Sequence, residues 1–356
     1  MTENRVSKIT DESVKVFLQN NNFDLLRFIF AFVVLLVHSH VLSGNSELSV
    51  LSYYLSSEIA VKSFFIVSGF LIFMSYERTN SVKNYFIKRV RRIYPAYFSV
   101  ILGSAALGVF FTSYSWENYF NLSLLKYLLA NLLFVNFVSP TLPGIFQDNP
   151  IQAVNGALWT LKVEVIFYCV VPLFVMAFSK FGRMRVLLIS FILSLLYSAL
   201  MSKLEENSGL GIYAELKRQL PGQLTYFLAG AAGYYFLDYF ARYKIWLLGF
   251  SLSAFIIKAW LPWVIFEPLA LSVLVVYLAC FFPWNFNFSK YGDFSYGIYI
   301  LHFPILQCLI ASNRFNDSPW FLLLVTILLV LSMAFLFWHS IEKPFLKKSS
   351  HYIKNK

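Results

Sequence analysis

The sequence predicts an all-α polytopic integral membrane protein with about ten transmembrane helices and both termini in the cytoplasm. Of its 356 residues, 58% are hydrophobic and only 13% are charged, whereas soluble domains carry roughly 25% charged residues. Apolar runs recur along the chain, and a run of ~20 residues can cross a ~30 Å hydrocarbon core as a helix. The formal net charge of +11 comes from lysines and arginines in alternate loops, which is typical of membrane topology rather than of nucleic-acid binding.

Hydropathy divides the chain into a membrane domain with short polar ends. The predicted domains are a cytoplasmic segment at 1–22, the membrane domain at 23–345 and a basic cytoplasmic tail at 346–356. The predicted spans are 24–42, 57–76, 95–112, 158–178, 186–202, 221–240, 245–261, 263–283, 294–312 and 319–341. No internal repeat or second domain is evident.

Loop charges set the predicted orientation, because cytoplasmic loops are rich in lysine and arginine. The loops 43–56 and 139–157 contain neither residue and are predicted to face outward. The chain must then cross an odd number of times between residues 93 and 139, so the short apolar run 122–138 is predicted to lie at the interface or to re-enter. The basic loops, predicted to be cytoplasmic, are 77–93, 179–185, 241–244 and the tail after 342.

The first predicted span carries ionisable residues, which are costly inside a membrane and are therefore functional candidates. Arg27 lies near its start and His38 near its end. Eleven steps of ~100° amount to three turns plus ~20°, so both side chains share one helix face, about 16 Å apart along the axis. Asp24, one turn before Arg27, is placed for a local salt bridge. The alternative for His38 is a packed histidine that is hydrogen-bonded between helices.

Two later spans add candidates for the same site. Glu164 lies six residues, or ~9 Å, into the span that follows the outward loop 139–157. We expect it at the depth of His38, where a carboxylate would orient the imidazole and stabilise its cationic form. Tyr299 and His302 share one helix face near the middle of a late span.

Two further patterns have a structural and a functional interpretation. Ser68 and Gly69 in the second span either permit close helix packing, which the run alone favours, or let a ligand approach the backbone. Arg89 and Arg92 face the same side of a helix. They either reflect cytoplasmic topology or bind phosphate, since arginine makes bidentate contacts with phosphate groups.

Several classes of function lack their signals in this chain. There is no P-loop, no GxGxxG and no HExxH pattern, and the three cysteines at 169, 280 and 308 have no metal-ligand spacing. The sequence therefore predicts no metal site, no permanently bound cofactor and no nucleic-acid partner. The lipid bilayer is the one partner that composition alone requires.

Taken together, these stretches resemble the bacterial membrane acyltransferase family often called acyltransferase 3. The resemblance runs from about residue 23 to 345, and six motifs in order make it specific. The motifs are Arg27–ten residues–His38 after Asp24, Phe64-Phe65-x-x-Ser68-Gly69-Phe70, Arg89-x-x-Arg92-Ile93-x-Pro95, Trp159-Thr160-Leu161-x-x-Glu164, Ser295 to His302, and Glu342-Lys343-Pro344.

The resemblance implies an enzyme of the bacterial inner membrane. Acetyl-CoA would be the co-substrate, and the acceptor would be a hydroxyl of a cell-surface glycan such as O-antigen or capsule, carried on a lipid. The chain is similar to stand-alone members without a C-terminal esterase-like domain. The acceptor sugar, the acyl preference, the membrane face of transfer and the oligomeric state stay open.

A mechanism follows as a hypothesis. His38 would act as general base with Glu164 holding its imidazole, and Arg27 would contact CoA or close the pore; a covalent acetyl-histidine is an open alternative. The CoA phosphates and pantetheine arm would meet the residues Arg89, Arg92, Ser68, Gly69, Tyr299 and His302. The rival functions are a transporter or flippase for a lipid-linked sugar, and a non-catalytic scaffold or sensor.

Overall fold

The computed structural model describes residues 21–346, apart from the asparagines at 80, 285, 287 and 316. Within these residues the protein is all-α, with no strand. Among these described residues, six stretches are long and apolar enough to cross a membrane, and each covers all or most of one predicted span. They are Phe23–Ser43, Ser46–Glu77, Gly156–Phe181, Arg183–Ser208, Trp263–Cys280 and Pro319–Phe345. The protein is therefore a multi-pass membrane protein. Almost all of the predicted segment 1–22 and tail 346–356 lies outside the described residues.

The α-helices are numbered in chain order. They are α1 Phe23–Ser43, α2 Ser49–Tyr54, α3 Ser57–Glu77, α4 Val82–Gly108, α5 Trp116–Tyr119, α6 Leu122–Leu132, α7 Trp159–Phe181, α8 Arg183–Ser208, α9 Gly211–Lys217, α10 Leu220–Tyr235, α11 Leu237–Ile256, α12 Trp263–Cys280, α13 Ser295–Ala311, α14 Pro319–Phe337 and α15 Lys343–Phe345. Short 3₁₀ turns occupy Ser46–Leu48, Asn136–Val138, Gly156–Leu158, Lys258–Trp260 and Phe288–Tyr291, and a π-helical turn occupies Trp338–Glu342.

Several helix boundaries differ from the predicted ones. Helix α11 runs from Leu237 to Ile256 through the predicted loop 241–244, with non-helical backbone angles at Tyr243. Helix α4 begins at Val82 and continues through Pro95, so the basic stretch before Pro95 is helical rather than a loop. Its first turn is capped by the Ser81 hydroxyl, which accepts from the Asn84 amide (3.1 Å), and this capping starts the helix early. Helix α6 has only 11 residues, or about 16 Å, which is too short to cross the hydrocarbon core.

The described residues form two compact units. The first comprises the described parts of Met1–Leu26, Lys62–Arg78 and Cys169–Ser289. Glycines bring its helix backbones into direct contact: a Cβ on Gly69 would lie 1.9 Å from the Phe227 carbonyl oxygen, and a Cβ on Gly230 1.9 Å from that of Ile66. Only glycine fits such a contact between α3 and α10.

A buried ion pair adds to the packing of this first unit. Lys62 Nζ lies 2.9 Å from each carboxylate oxygen of Glu267 on α12. The Tyr226 hydroxyl donates to Glu267 Oε2 at 2.8 Å. A buried carboxylate requires such partners, because removing an ion from water costs several kcal/mol.

The second unit comprises Arg27–Val61, Thr79–Tyr168 and the described part of Lys290–Lys356. Helix α13 forms its core, and every residue from Ser295 to Phe303 is buried. Gly297 lets α13 approach α14, since a Cβ there would lie 3.1 Å from the Ala334 Cα atom. On another side, the Tyr296 hydroxyl donates to the Ile93 carbonyl of α4 at 3.0 Å.

Candidate functional site

An ionic cluster forms around Asp293, which lies two residues before the start of α13 in the second unit. Arg27 Nη1 lies 2.6 Å from Asp293 Oδ2, and Arg92 Nη2 contacts the same oxygen. Arg92 Nη1 lies 3.3 Å from Glu342 Oε2. The amide of Ser295 donates to Asp293 Oδ1 at 3.2 Å. Side chains from α1 and α4 therefore meet at one carboxylate, and Arg92 also contacts Glu342 of the π-helical turn. We call Arg27, Arg92, Asp293 and Glu342 the arginine end.

The charges of the arginine end balance within the cluster. Two guanidinium groups face two carboxylates, and the Asp293 and Glu342 side chains are each only 1% exposed. The Arg92 guanidinium also lies 5.7 Å from the Trp338 ring centroid, a further favourable contact. Because isolated buried charges are costly, removing the carboxylate that both arginines share would be destabilising.

A histidine pair forms further along the same two helices. His38 is eleven residues after Arg27 on α1, and His302 is nine residues after Asp293 on α13. The His38 Nδ1 atom lies 2.8 Å from His302 Nε2. The two helices thus run side by side in the same direction and touch at both places; we call His38 and His302 the histidine end. The predicted common face of Arg27 and His38 is confirmed, since Arg27 reaches Asp293 just before α13 and His38 reaches His302 on it.

The hydrogen bonds of the pair fix the tautomer of each neutral ring. His302 Nδ1 lies 3.2 Å from the Ile298 carbonyl oxygen, which can only accept, so Nδ1 carries the proton. His302 Nε2 is then an acceptor, and His38 Nδ1–H must donate to it. The lone pair of His38 is left on Nε2, which makes no hydrogen bond within the described residues. This arrangement presents His38 Nε2 as a base.

Aromatic rings surround the pair. The Phe303 ring meets the His38 ring edge to face at 5.8 Å. The Tyr299 ring lies 5.9 Å from the His302 ring, and its hydroxyl lies 2.7 Å from the Thr160 hydroxyl of α7. His302 is fully buried and His38 is half-buried. The buried histidine can therefore support its partner, while the half-buried one can meet a substrate.

A polar stripe continues along α7 from this point. Thr160, Glu164 and Tyr168 are spaced four residues apart and so share one helix face. The Tyr168 hydroxyl donates to Glu164 Oε1 at 2.6 Å, and the Arg89 guanidinium lies 5.8 Å from the Tyr168 ring centroid. The polar stripe therefore extends from Thr160, close to the histidine pair, to Arg89 of α4.

The structure changes one expectation about neighbours and adds a backbone contact at Gly69. The expected contact between Glu164 and His38 is absent from the described residues, and His302 takes that place. The reason is that depth along a span does not fix which helices are adjacent. Gly69 packs against α10 in the first unit, so its Cα is covered by protein backbone; its predicted role and that of Ser68 toward CoA stay predictions.

The sequence interpretation did not include Asp293 among the site residues. A search for a buried carboxylate to pair with Arg27 and Arg92 would have found it, because an intramembrane arginine requires a partner. Its position two residues before the buried helix α13 was a second available signal, since carboxylates are favoured at helix N-termini.

The fold and the comparisons with known proteins together define a multi-pass membrane acyltransferase. The family model described as "Acyltransferase domain" matches residues 20–339, most of the chain. The chain belongs to this family, acyltransferase 3. The resemblance inferred from the six motifs is therefore confirmed.

Two similar proteins match along almost their whole length. The "O-acetyl transferase" of Shigella phage Sf6 is 28% identical, with 93% of this chain and 98% of that protein covered. "Nodulation protein 10" of Rhizobium leguminosarum bv. viciae is 27% identical, with 92% and 93% covered. The "Putative peptidoglycan O-acetyltransferase YrhL" of Bacillus subtilis is 23% identical, with 85% and 54% covered. No solved structure matches significantly.

Proposed function

We propose that this acyltransferase moves the acetyl group of acetyl-CoA to a hydroxyl of a lipid-linked, cell-surface glycan. The acetyl group is supported by relatives whose names specify O-acetyl transfer. The observation that carries the chemistry is the histidine pair, whose hydrogen bonds leave a lone pair on His38 Nε2. Among the described residues, no other half-buried imidazole has this support from a buried partner.

In the proposed reaction, His38 Nε2 takes the proton from the acceptor hydroxyl as its oxygen attacks the thioester carbonyl carbon. The C–O bond forms, the C–S bond breaks, and the proton on His38 passes to the departing CoA sulfur. While His38 is cationic, its Nδ1–H donates to the neutral His302, which stabilises the imidazolium. Such a positioned base contributes typically ~10²–10⁴-fold to the rate. No cofactor is required beyond the co-substrate.

The donor would reach the histidine end along the polar stripe of α7. Arg89 is the arginine that we assign to the CoA phosphates, because it lies at the far end of that stripe. Glu164 would hold Tyr168 and line the path of the pantetheine arm. Arg27 and Arg92 are already paired with carboxylates, and we assign them to hold α1, α4 and α13 in place.

The same proposal includes a topology. Ten crossings with both termini cytoplasmic would place the arginine end toward the cytoplasm and the histidine end toward the outer face of a bacterial inner membrane. The membrane domain would be 23–345. The four crossings beyond the six apolar stretches would be α4, α10, α11 and α13, whose charges or lengths make them less apolar or shorter.

The test uses the protein in lipid nanodiscs with acetyl-CoA labelled in its acetyl group. The acceptor is surface polysaccharide from the source cells after mild base has removed its esters. We expect base-labile label on the polysaccharide with the wild type and a loss of about 10²–10⁴-fold with His38→Ala. His40→Ala is the matched control, because His40 is bonded to Ser52 (2.7 Å) and, two residues after His38, lies on a different face of α1.

The outcomes separate the functions. Equal labelling by His38→Ala and wild type would remove His38 as the base while keeping the enzyme. No ester in any reaction, combined with transport of the unmodified saccharide across proteoliposomes, would replace acetyl transfer with the transporter or flippase function.

A further inference from the structure

A long connection between α6 and α7 is folded without regular secondary structure. Residues 139–155 contain no helix or strand, and connections longer than ~12–15 residues are uncommon in compact domains unless they are functional or disordered. This one is packed, because Leu142, Ile145, Phe146 and Val154 are all buried. We call residues 139–155 the anchored loop.

Gln307 of α13 fixes the middle of the anchored loop. It lies five residues after His302 and is fully buried. Its Nε2 donates to the carbonyl oxygens of Ile151 (2.5 Å) and Ala153 (2.7 Å). Its Oε1 accepts from Asn149 Nδ2 at 2.9 Å. One side chain of the histidine-bearing helix therefore satisfies three polar groups of the loop.

The end of the loop is fixed to the same helix by a second device. Pro304 has no N–H, so the Ile300 carbonyl four residues before it has no helical donor. Asn155 Nδ2 donates to that carbonyl at 2.8 Å. Gly156 follows and lies against the Phe303 ring, which a Cβ there would meet at 2.9 Å. Since Phe303 also contacts His38, the end of the anchored loop lies next to the histidine end.

The turn of the anchored loop carries backbone strain. Gly144 has φ +66°, and Phe146, which is not a glycine, has φ +55°. The left-handed region is unfavourable for a bulky residue, and such residues persist only where the surroundings determine them, often at functional sites. Phe146 is only 7% exposed, so burial of its ring maintains the turn.

The anchored loop exposes a set of planar polar side chains. Gln147, Asp148 and Gln152 are exposed. Gln152 Nε2 donates to the Gln147 carbonyl at 3.0 Å, and the Ser113 hydroxyl donates to Gln147 Oε1 at 3.3 Å. Amides and carboxylates in fixed positions suit the hydroxyl groups of a sugar, because a carboxylate accepts and an amide both donates and accepts. The loop contains no lysine or arginine, which disfavours an anionic partner.

We propose that Gln147, Asp148 and Gln152 form a binding surface for the acceptor saccharide, held beside the histidine end by Gln307 and Asn155. The inference rests on the proposed function and adds a surface that recognises the acceptor. Asp148 accepts hydrogen bonds from sugar hydroxyls, and the two glutamines orient the sugar ring. The loop's rigidity means that little conformational entropy is lost on binding.

The test measures acetyl transfer in nanodiscs as a function of the concentration of the same base-treated polysaccharide, at saturating acetyl-CoA. Asp148→Asn and Gln152→Ala are compared with Glu117→Gln, a carboxylate change at an exposed position of α5. We expect KM for the polysaccharide to rise about tenfold for Asp148→Asn, since a hydrogen bond to a charged group is worth about tenfold in binding. For Gln152→Ala we expect about fivefold, because the hydrogen bond lost is to a neutral amide. We expect KM for acetyl-CoA to stay as in the wild type.

Each outcome decides a different question. If the loop variants keep the wild-type KM for the polysaccharide, the saccharide surface is overturned while the acetyltransferase function stands. If KM for acetyl-CoA rises instead, the loop contacts the donor and the inference is wrong. If the wild type itself forms no ester, the proposed function fails, and the saccharide surface fails with it. A rise confined to polysaccharide KM in the loop variants supports the proposal.

Discussion

The arginine end and the histidine end lie on the same pair of helices but use polar residues in opposite ways. At the arginine end, two guanidinium groups and two carboxylates are buried and paired with one another. At the histidine end, two neutral rings share one hydrogen bond, and one of them keeps a lone pair directed away from its partner. Formal charge therefore appears where it can be neutralised, and a neutral titratable group appears where the proposed reaction would move a proton.

This difference predicts that the arginine end contributes to stability and the histidine end to the proposed reaction. Removing a group from the arginine end leaves a buried charge without its partner, which costs stability. Removing a group from the histidine end leaves no such charge and instead changes the protonation pattern of His38. Variants at the arginine end should therefore change stability, and variants at the histidine end should change activity. A variant at either end with the opposite effect would contradict this distinction.

The largest expected effect is at Asp293. Asp293→Ala leaves Arg27 and Arg92 without their shared carboxylate, and we expect a loss of about 3–5 kcal/mol in the free energy of unfolding. Unfolding of the purified protein in bicelles on titration with a denaturing detergent gives this quantity. Asp317→Ala, at an exposed position, is the control and should change it by less than about 0.5 kcal/mol. A stable Asp293→Ala protein with low activity would place Asp293 in the chemistry.

The second prediction concerns the tautomer of His38. His302→Ala removes the acceptor of the His38 Nδ1–H, and we expect kcat to fall by about 10²-fold. His302→Gln keeps an oxygen acceptor and should restore part of that loss. The ¹⁵N chemical shifts of His38, measured in labelled protein, report which ring nitrogen carries the proton. In the wild type that nitrogen should be Nδ1, and in His302→Ala the two tautomers should mix. If His302→Ala kept the wild-type kcat although its His38 tautomers mix, His302 would have no role in the reaction.

These two predictions depend on contacts that the sequence only partly indicates. Helical periodicity placed Arg27 and His38 on one face, and that was correct because the period depends on the chain alone. Their partners Asp293 and His302 lie more than 260 residues away in sequence, and periodicity contains no information about which helices are adjacent. For the same reason Glu164 was expected beside His38, although its hydrogen-bond partner is Tyr168, one turn further along α7.

Helix boundaries show a second limit of prediction from the sequence. The charges of 77–93 indicated a cytoplasmic loop, yet α4 begins at Val82 and runs through Pro95. Packing overrides the local preference there, since Tyr296 bonds the Ile93 carbonyl and Arg92 is held by two carboxylates. Small residues at Ser68 and Gly69 were compatible with packing or with a ligand, and only the position of the Phe227 carbonyl showed a backbone contact at Gly69.

A third, smaller effect is expected where the anchored loop meets α13. Gln307→Ala leaves the Ile151 and Ala153 carbonyls without donors, and we expect a loss of about 1–3 kcal/mol of stability. It should also raise KM for the polysaccharide, because the loop is no longer held beside the histidine end. Gln223→Ala is the matched control: Gln223 is also a buried glutamine and donates to the Lys217 carbonyl at 3.0 Å, but it belongs to the first unit. Unfolding and acceptor titration are measured on both.

If both glutamine variants raise KM for the polysaccharide equally, the effect reflects a general loss of packing and not the position of the loop. If neither changes it while both lose stability, Gln307 stabilises the loop without placing it for the acceptor. Only a rise in KM for the polysaccharide confined to Gln307→Ala would show that Gln307 places the anchored loop for acceptor binding.

The smallest expected effect on stability concerns Glu342 at the arginine end. Glu342 makes one 3.3 Å contact to Arg92, and its Oε1 is buried without a hydrogen-bond partner in the described residues. Glu342→Gln keeps the shape and leaves Arg92 paired with Asp293, so we expect a loss of only about 1 kcal/mol in the same unfolding measurement. A loss as large as that of Asp293→Ala would mean that the second carboxylate is needed to neutralise the two guanidinium groups. The cluster would then be held by its total charge, and not by the geometry around Asp293.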